Sequence, residues 1–114
     1  LDEDHGPHVG GCKNCRGLVT LGADGSIERH AEYYALAHIA RFVRPGARVI
    51  GSTSSAETIR SVAFADQARR QVTLVLQNTG TAAADLSLRL GRRSARLHLE
   101  AGTVATVSGP AFAL

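Results

Sequence analysis

The sequence predicts an α+β fragment: a short hairpin and one helix, followed by a mainly antiparallel β-sandwich. Three observations carry this. Helical periodicity is confined to about residues 31–43. After Gly46 the apolar residues fall into short alternating or continuous runs about 10 to 13 residues apart, with no helical pattern between them. Turn-forming residues (Asp24-Gly25, Pro45-Gly46, Ala101-Gly102) punctuate the runs.

Taken in order, residues 2–16 form a polar loop rich in Gly and His. Leu18-Val19-Thr20-Leu21 reads as a strand, Ala23-Asp24-Gly25 as a turn, and Ser26 to Arg29 as the returning strand. Two strands alone are marginal, so this hairpin needs the helix that follows. The helix is expected from Ala31 to Val43, with Leu36, Ile39 and Val43 on one face beside Ala35 and Phe42. Glu32 suits its positive end, and Arg41 and Arg44 its negative end. Pro45 cannot continue the ladder and Gly46 eases the turn.

Arg48-Val49-Ile50 and Ile59 to Phe64 then flank a Ser/Thr loop. Val72 to Leu76 is apolar at nearly every position, as an interior strand requires. Leu86, Leu88 and Leu90 alternate with Ser87 and Arg89, and Leu97 and Leu99 with Arg96 and His98, giving one buried and one wet face. Val104 to Val107 form the last strand, after the turn at Ala101-Gly102.

The chain has 114 residues, enough for one domain. It opens without Met on Leu1-Asp2-Glu3-Asp4, which reads as the end of a strand already under way, and a fragment or processed product is expected. No apolar run reaches the about 18 residues of a membrane span. The net charge of +3 invites a nucleic-acid partner. Against this, Arg69-Arg70 and Arg92-Arg93 sit in turns, while Arg16, Arg29, Arg41 and Arg96 are scattered. Aromatic residues are also too few for base stacking, so no nucleic-acid partner is expected.

His5, His8, Cys12 and Cys15 admit three readings. Two imidazoles and two thiolates can hold zinc, although zinc fingers place the Cys pair first with a longer spacer. A redox dithiol wants a helix N-terminus, whereas Arg16-Gly17 and a strand follow here. A local disulfide between Cys12 and Cys15, or a pair of buried thiols, is the favoured reading, and an exported protein permits the disulfide. No cofactor is expected.

The order of three segments is specific. Gly10-Gly11-Cys12-Lys13-Asn14-Cys15-Arg16-Gly17-Leu18-Val19-Thr20 precedes Glu32-Tyr33-Tyr34-Ala35-Leu36-Ala37-His38 and then Arg41-Phe42-Val43-Arg44-Pro45-Gly46-Ala47. This succession resembles the C-terminal part of glycoside hydrolase family 30, the glucosylceramidase-like enzymes, especially bacterial members. The resemblance runs from Asp2 to about Ser108. It implies that residues 1–45 are the last strand-loop-helix of a (β/α)8 barrel, and that 46–114 form a C-terminal β-sandwich packed on the upstream barrel. It also implies a secreted retaining glycosidase resembling glucosylceramidase or a β-1,6-glucanase, acting on a β-linked glycan or glycolipid, in carbohydrate or sphingolipid metabolism.

Retaining glycosidases work with two carboxyl groups about 5 Å apart. The resemblance puts both, as glutamates, on barrel strands upstream of this chain, so no catalytic residue is expected in it. Glu28, Glu32, Glu57, Asp66 and Glu100 read as capping or solvated groups. If Leu1-Asp2 closes the last barrel strand, the next loop lies on the cleft rim, with Asp4, His5 and His8 as candidate substrate contacts. His30 and His38 read as packing residues and His98 as solvated.

The chain departs from the family's usual Gly-Gly-Pro at His5-Gly6-Pro7. Asp66-Gln67-Ala68-Arg69-Arg70 stands for an Asn-Pro-Asp-Gly turn, and Val107-Ser108-Gly109 replaces a strand end that often carries Trp. The competing classes are a stand-alone carbohydrate- or protein-binding sandwich and a zinc-stabilised small domain. Deprived of a barrel, the chain is expected to expose Leu36, Ile39 and Val43.

Overall fold

Strands β1 (Val19–Leu21) and β2 (Ile27–Arg29) pair antiparallel, with Val19 opposite Arg29 and Leu21 opposite Ile27. The computed structural model in which they lie describes residues 9–10 and 17–110. The turn between them follows from its sequence. The Asp24 carboxylate accepts the Ser26 N–H at 2.9 Å, and Gly25 takes φ 82°, a conformation in which a Cβ would be strained.

Helix α1 (Ala31–Ala40) begins directly after β2. The His30 carbonyl accepts the Tyr33 N–H at 3.0 Å, closing the first turn. The His30 ring bonds the Thr20 hydroxyl at 2.8 Å, and the Arg29 guanidinium lies 5.3 Å from the centre of the Tyr33 ring. The regular helix is three residues shorter than the Ala31–Val43 expected, but its bonding continues. The Ile39 carbonyl accepts both the Phe42 N–H at 3.1 Å and the Val43 N–H at 2.8 Å. Pro45 and a left-handed Gly46 (φ 94°) then turn the chain into the next strand.

The chain divides into two units, residues 1–37 and 38–114. The second holds a four-stranded antiparallel sheet in the order β3-β4-β5-β8: β3 (Arg48–Ile50), β4 (Ile59–Asp66), β5 (Gln71–Asn78) and β8 (Val104–Pro110). It also holds a two-stranded sheet, β6 (Ala84–Leu90) with β7 (Arg93–Leu99). This arrangement agrees with the antiparallel sandwich expected from the spacing of the apolar runs. As its nearly continuous apolar run foretold, β5 is interior, paired with β4 on one side and β8 on the other.

β4 and β5 run longer than their apolar cores because polar residues join the ladder at both ends, Asp66 opposite Gln71 and Ile59 opposite Asn78. Their connecting turn lacks glycine. Arg70 adopts φ 54° instead, and the turn is held by the Arg69 N–H donating to Asp66 at 3.1 Å. The capping role read for Asp66 is thus observed.

The core lies between the two sheets. Ile59, Leu76 and Leu99 are buried together, with Leu74, Leu86, Leu88, Leu97, Ala105 and Val107 packed around them. The leucine alternation in β6 and β7 therefore points inward as read.

At the corner where β5 leaves its sheet sits Asn78, fully inaccessible to solvent. Its amide donates to the carbonyls of Ala82 (2.8 Å) and Leu99 (3.1 Å), and its side-chain oxygen accepts the Gly80 N–H (2.9 Å). A Cβ on Gly80 would stand 3.1 Å from that oxygen and 3.2 Å from Thr58 Cβ, so glycine keeps the corner tight.

Replacing Asn78 with Ala leaves buried carbonyls unpaired and is expected to cost about 2–4 kcal/mol of stability. Asn78→Asp should be no milder, because a carboxylate sets oxygen against both carbonyls. Urea unfolding of the two variants measures this, and losses below about 1 kcal/mol would contradict the role given to the corner.

Candidate functional site

The sheet face away from the core receives the end of α1 and the residues after it. Alternation along β5 and β8 puts Thr73, Thr106 and Ser108 there, opposite in facing to Leu74 and Val107. His38, in the last turn of α1, bonds the Thr106 hydroxyl through Nδ1 at 2.9 Å, and that hydroxyl also reaches the His38 carbonyl at 3.3 Å. Thr73 is 4% exposed. Its hydroxyl pairs with that of Ser108 at 3.0 Å and reaches the Phe42 carbonyl at 3.5 Å. A row of hydroxyls thus fastens the helix terminus and the residues after it to β5 and β8. Hydroxyls suit the task because helix-terminal carbonyls lack intrahelical donors.

Each unit has apolar side chains that stand open. In the first unit Leu18, Leu21, Ile27, Tyr34 and Leu36 are 42–56% exposed, and no residue of α1 is fully buried. In the second unit Ile39 is 41% and Val49 68% exposed. The expected exposure of Leu36 and Ile39 is observed, while Val43 is half-buried.

The candidate rim residues Asp4, His5 and His8, and the cysteines Cys12 and Cys15, lie outside the described residues. Among the described residues no cluster of three His, Cys, Asp or Glu is arranged to hold a metal. No helix among them is long and apolar enough to cross a membrane. The described acidic residues serve local structure. Asp24 is held below the ordinary carboxylate value by hydrogen bonds from the Ser26 hydroxyl and N–H. Glu28 lies 3.9 Å from the His30 ring.

His98 differs from its reading as a merely solvated residue. It is exposed, but its Nδ1 lies 2.7 Å from Asp85 and its Nε2 3.3 Å from Glu100. The hydrogen bond and charge of Asp85, and then those of Glu100, raise its pKa above the ordinary 6.5. The signal was available: the turn after Leu90 pairs it with Arg93, and counting back sets Asp85 opposite His98. His38 and Thr106 are 68 residues apart, and nothing local in the sequence joins them.

Comparison with known proteins follows this geometry. Residues 58–111 match a domain family of unknown function, DUF7407. An endo-1,6-β-D-glucanase of Aspergillus fumigatus is 40% identical over 52 residues, 44% of this chain and 10% of the glucanase. One from Neurospora crassa is 38% identical over 58 residues, 47% of this chain and 12% of the enzyme. Among solved structures, an endo-β-1,6-glucanase matches 98% of this chain with a TM-score of 0.87 at 27% identity, using 25% of its own length. SrfJ from Salmonella typhimurium matches 96% with a TM-score of 0.88 at 26% identity, using 24% of its length. The chain is similar to one quarter of a glycoside hydrolase. It spans 10% and 12% of the matched curated glucanases and about a quarter of the solved structures.

Two outcomes are expected. Because the folded pKa of His98 is raised, its pairing stabilises the fold fully below about 6.5 and is lost as pH rises through the folded value. The Tm gap between the native chain and a His98→Asn variant should therefore be wider at pH 5.5 than at pH 9, by differential scanning fluorimetry; an equal gap would remove the role. Thr106→Val, which keeps shape and deletes the hydroxyl, should cost about 1 kcal/mol in urea unfolding, and no loss would contradict the anchor.

Proposed function

We propose that this chain is the C-terminal portion of a retaining β-glycosidase of glycoside hydrolase family 30. In this reading residues 1–45 supply the last loop, hairpin and helix of a (β/α)8 barrel, and residues 46–114 a sandwich that packs on it. The observation that carries the proposal is the match of 98% of the chain to 25% of an endo-β-1,6-glucanase. The open apolar side chains of α1 and the hairpin support it, since a barrel would cover them.

The substrate class that this supports is a β-1,6-linked glucan, because three of the matched proteins are endo-1,6-glucanases. Glucosylceramide fits the family reading but has no support in those names. Hydrolysis would proceed through two glutamates upstream of this chain, one attacking the anomeric carbon and one first protonating the leaving oxygen and then activating water. Asp4, His5 and His8 stand on the proposed rim of the cleft, and Cys12 and Cys15 form the proposed local disulfide. Such an enzyme would be exported, where both its glucan and an oxidising environment are found.

The purified chain should release no reducing ends from β-1,6-glucan, whereas the longer protein that contains it should. Turnover by the chain alone, or none by the longer protein on any β-glucan, would overturn the proposal.

A further inference from the structure

The β6–β7 hairpin bears an arrangement that neither the core nor the proposed catalysis uses. Arg89, Arg92, Arg93 and Arg96 are four of the chain's thirteen Lys and Arg, yet they fall within eight residues, and no Asp or Glu occurs from Leu86 to Leu99. In the hairpin register Ser87 faces Arg96 and Arg89 faces Ser94. Ser87, Arg89, Ser94 and Arg96 are exposed, on the side opposite the inward leucines Leu86, Leu88 and Leu97. Each cross-strand pair thus joins one guanidinium to one hydroxyl. Two arginines share a face, on a diagonal of about 7–8 Å, without standing directly opposite each other. Arg92 adds charge at the turn, while Arg93 pairs with Leu90 and falls on the leucine side. No ion pair joins Arg89, Arg92 or Arg96 to a carboxylate among the described residues; the acidic partners Asp85 and Glu100 are engaged with His98.

We infer that the Ser87–Arg96 and Arg89–Ser94 face of this hairpin binds an acidic polysaccharide, with the two guanidinium groups on its carboxylates and the two serines on its hydroxyls. Guanidinium forks match carboxylates, and interleaved hydroxyls match the sugar oxygens between them. A nucleic acid fits less well, because residues 84–99 include no Phe, Tyr or Trp for stacking, and the His98 ring is held between Asp85 and Glu100. A bilayer also fits less well, because the face carries no apolar side chain to insert. The neutral glucan proposed as substrate has no charge to meet these arginines, so this surface holds a different polymer and would anchor the protein beside its substrate.

The test is binding of the 114-residue chain to polygalacturonate by calorimetry, with neutral β-1,6-glucan, duplex DNA and anionic vesicles alongside. Polygalacturonate should bind tightest, and raising salt from about 20 mM to about 0.5 M should weaken it at least tenfold. The double variant Arg89→Ser, Arg96→Ser should bind about tenfold more weakly. Arg48→Ser with Arg60→Ser removes the same charge from the other sheet and should stay within about twofold. Equal losses in the two double variants would overturn the inference. So would neutral glucan, DNA or vesicles binding as tightly as polygalacturonate, or binding insensitive to salt. The polymer comparison and salt series need no variant, so a misfolded variant leaves the test intact.

Discussion

The second unit turns on Asn78. It ends β5 in the four-stranded sheet, and its side chain holds the carbonyl of Ala82 before β6 and that of Leu99 at the end of β7. Its backbone N–H donates to Thr103, just before β8. Three passages of chain between the two sheets therefore meet at one residue, two at its side-chain amide and one at its backbone N–H. An amide is the group for that position because it offers two donors and an acceptor without a charge to desolvate. The apolar contacts of Ile59, Leu76 and Leu99 hold the layers together without fixing direction. The hydrogen bonds of Asn78 fix which strand ends meet.

The opposite face of the sheet has a different logic. Thr73, Thr106 and Ser108 present hydroxyls where a free-standing sandwich would show solvated charge or a second apolar layer. They receive the helix terminus through the His38 ring and the Phe42 carbonyl. A helix so fastened, with no residue fully buried, contributes little core of its own. On the proposed reading a barrel would cover its remaining apolar side chains, the sandwich would support that barrel's last helix, and the chemistry would lie upstream.

Much of this was legible because strand period and burial coincide. Leu86, Leu88 and Leu90 announced β6 by alternation, and the run from Val72 to Leu76, apolar but for Thr73, announced an interior strand. Strand ends were less legible, since Asp66, Gln71 and Asn78 join the ladder without an apolar signature. The helix ended early as a regular element because Arg41 and Phe42 form a turn whose bonds still reach Ile39. Asn78 carried no local signal. A buried Asn and a loop Asn look alike in sequence, and only the approach of Leu99, 21 residues on, distinguishes them. His98 was read correctly as outward, but its two carboxylates emerge only from the register. The proposed rim of Asp4, His5 and His8 rests on the resemblance, since it lies outside the described residues.

The central claim is that this chain works as the supporting quarter of a glycosidase. The most direct measurement is the mass of the native protein, found with an antibody against this segment in source cells and their medium. The account predicts a secreted band about four times the chain's 12.0 kDa, as its 25% share of the matched glucanase implies. A band at 12.0 kDa and no heavier one would contradict it, and would mean that the sandwich acts alone.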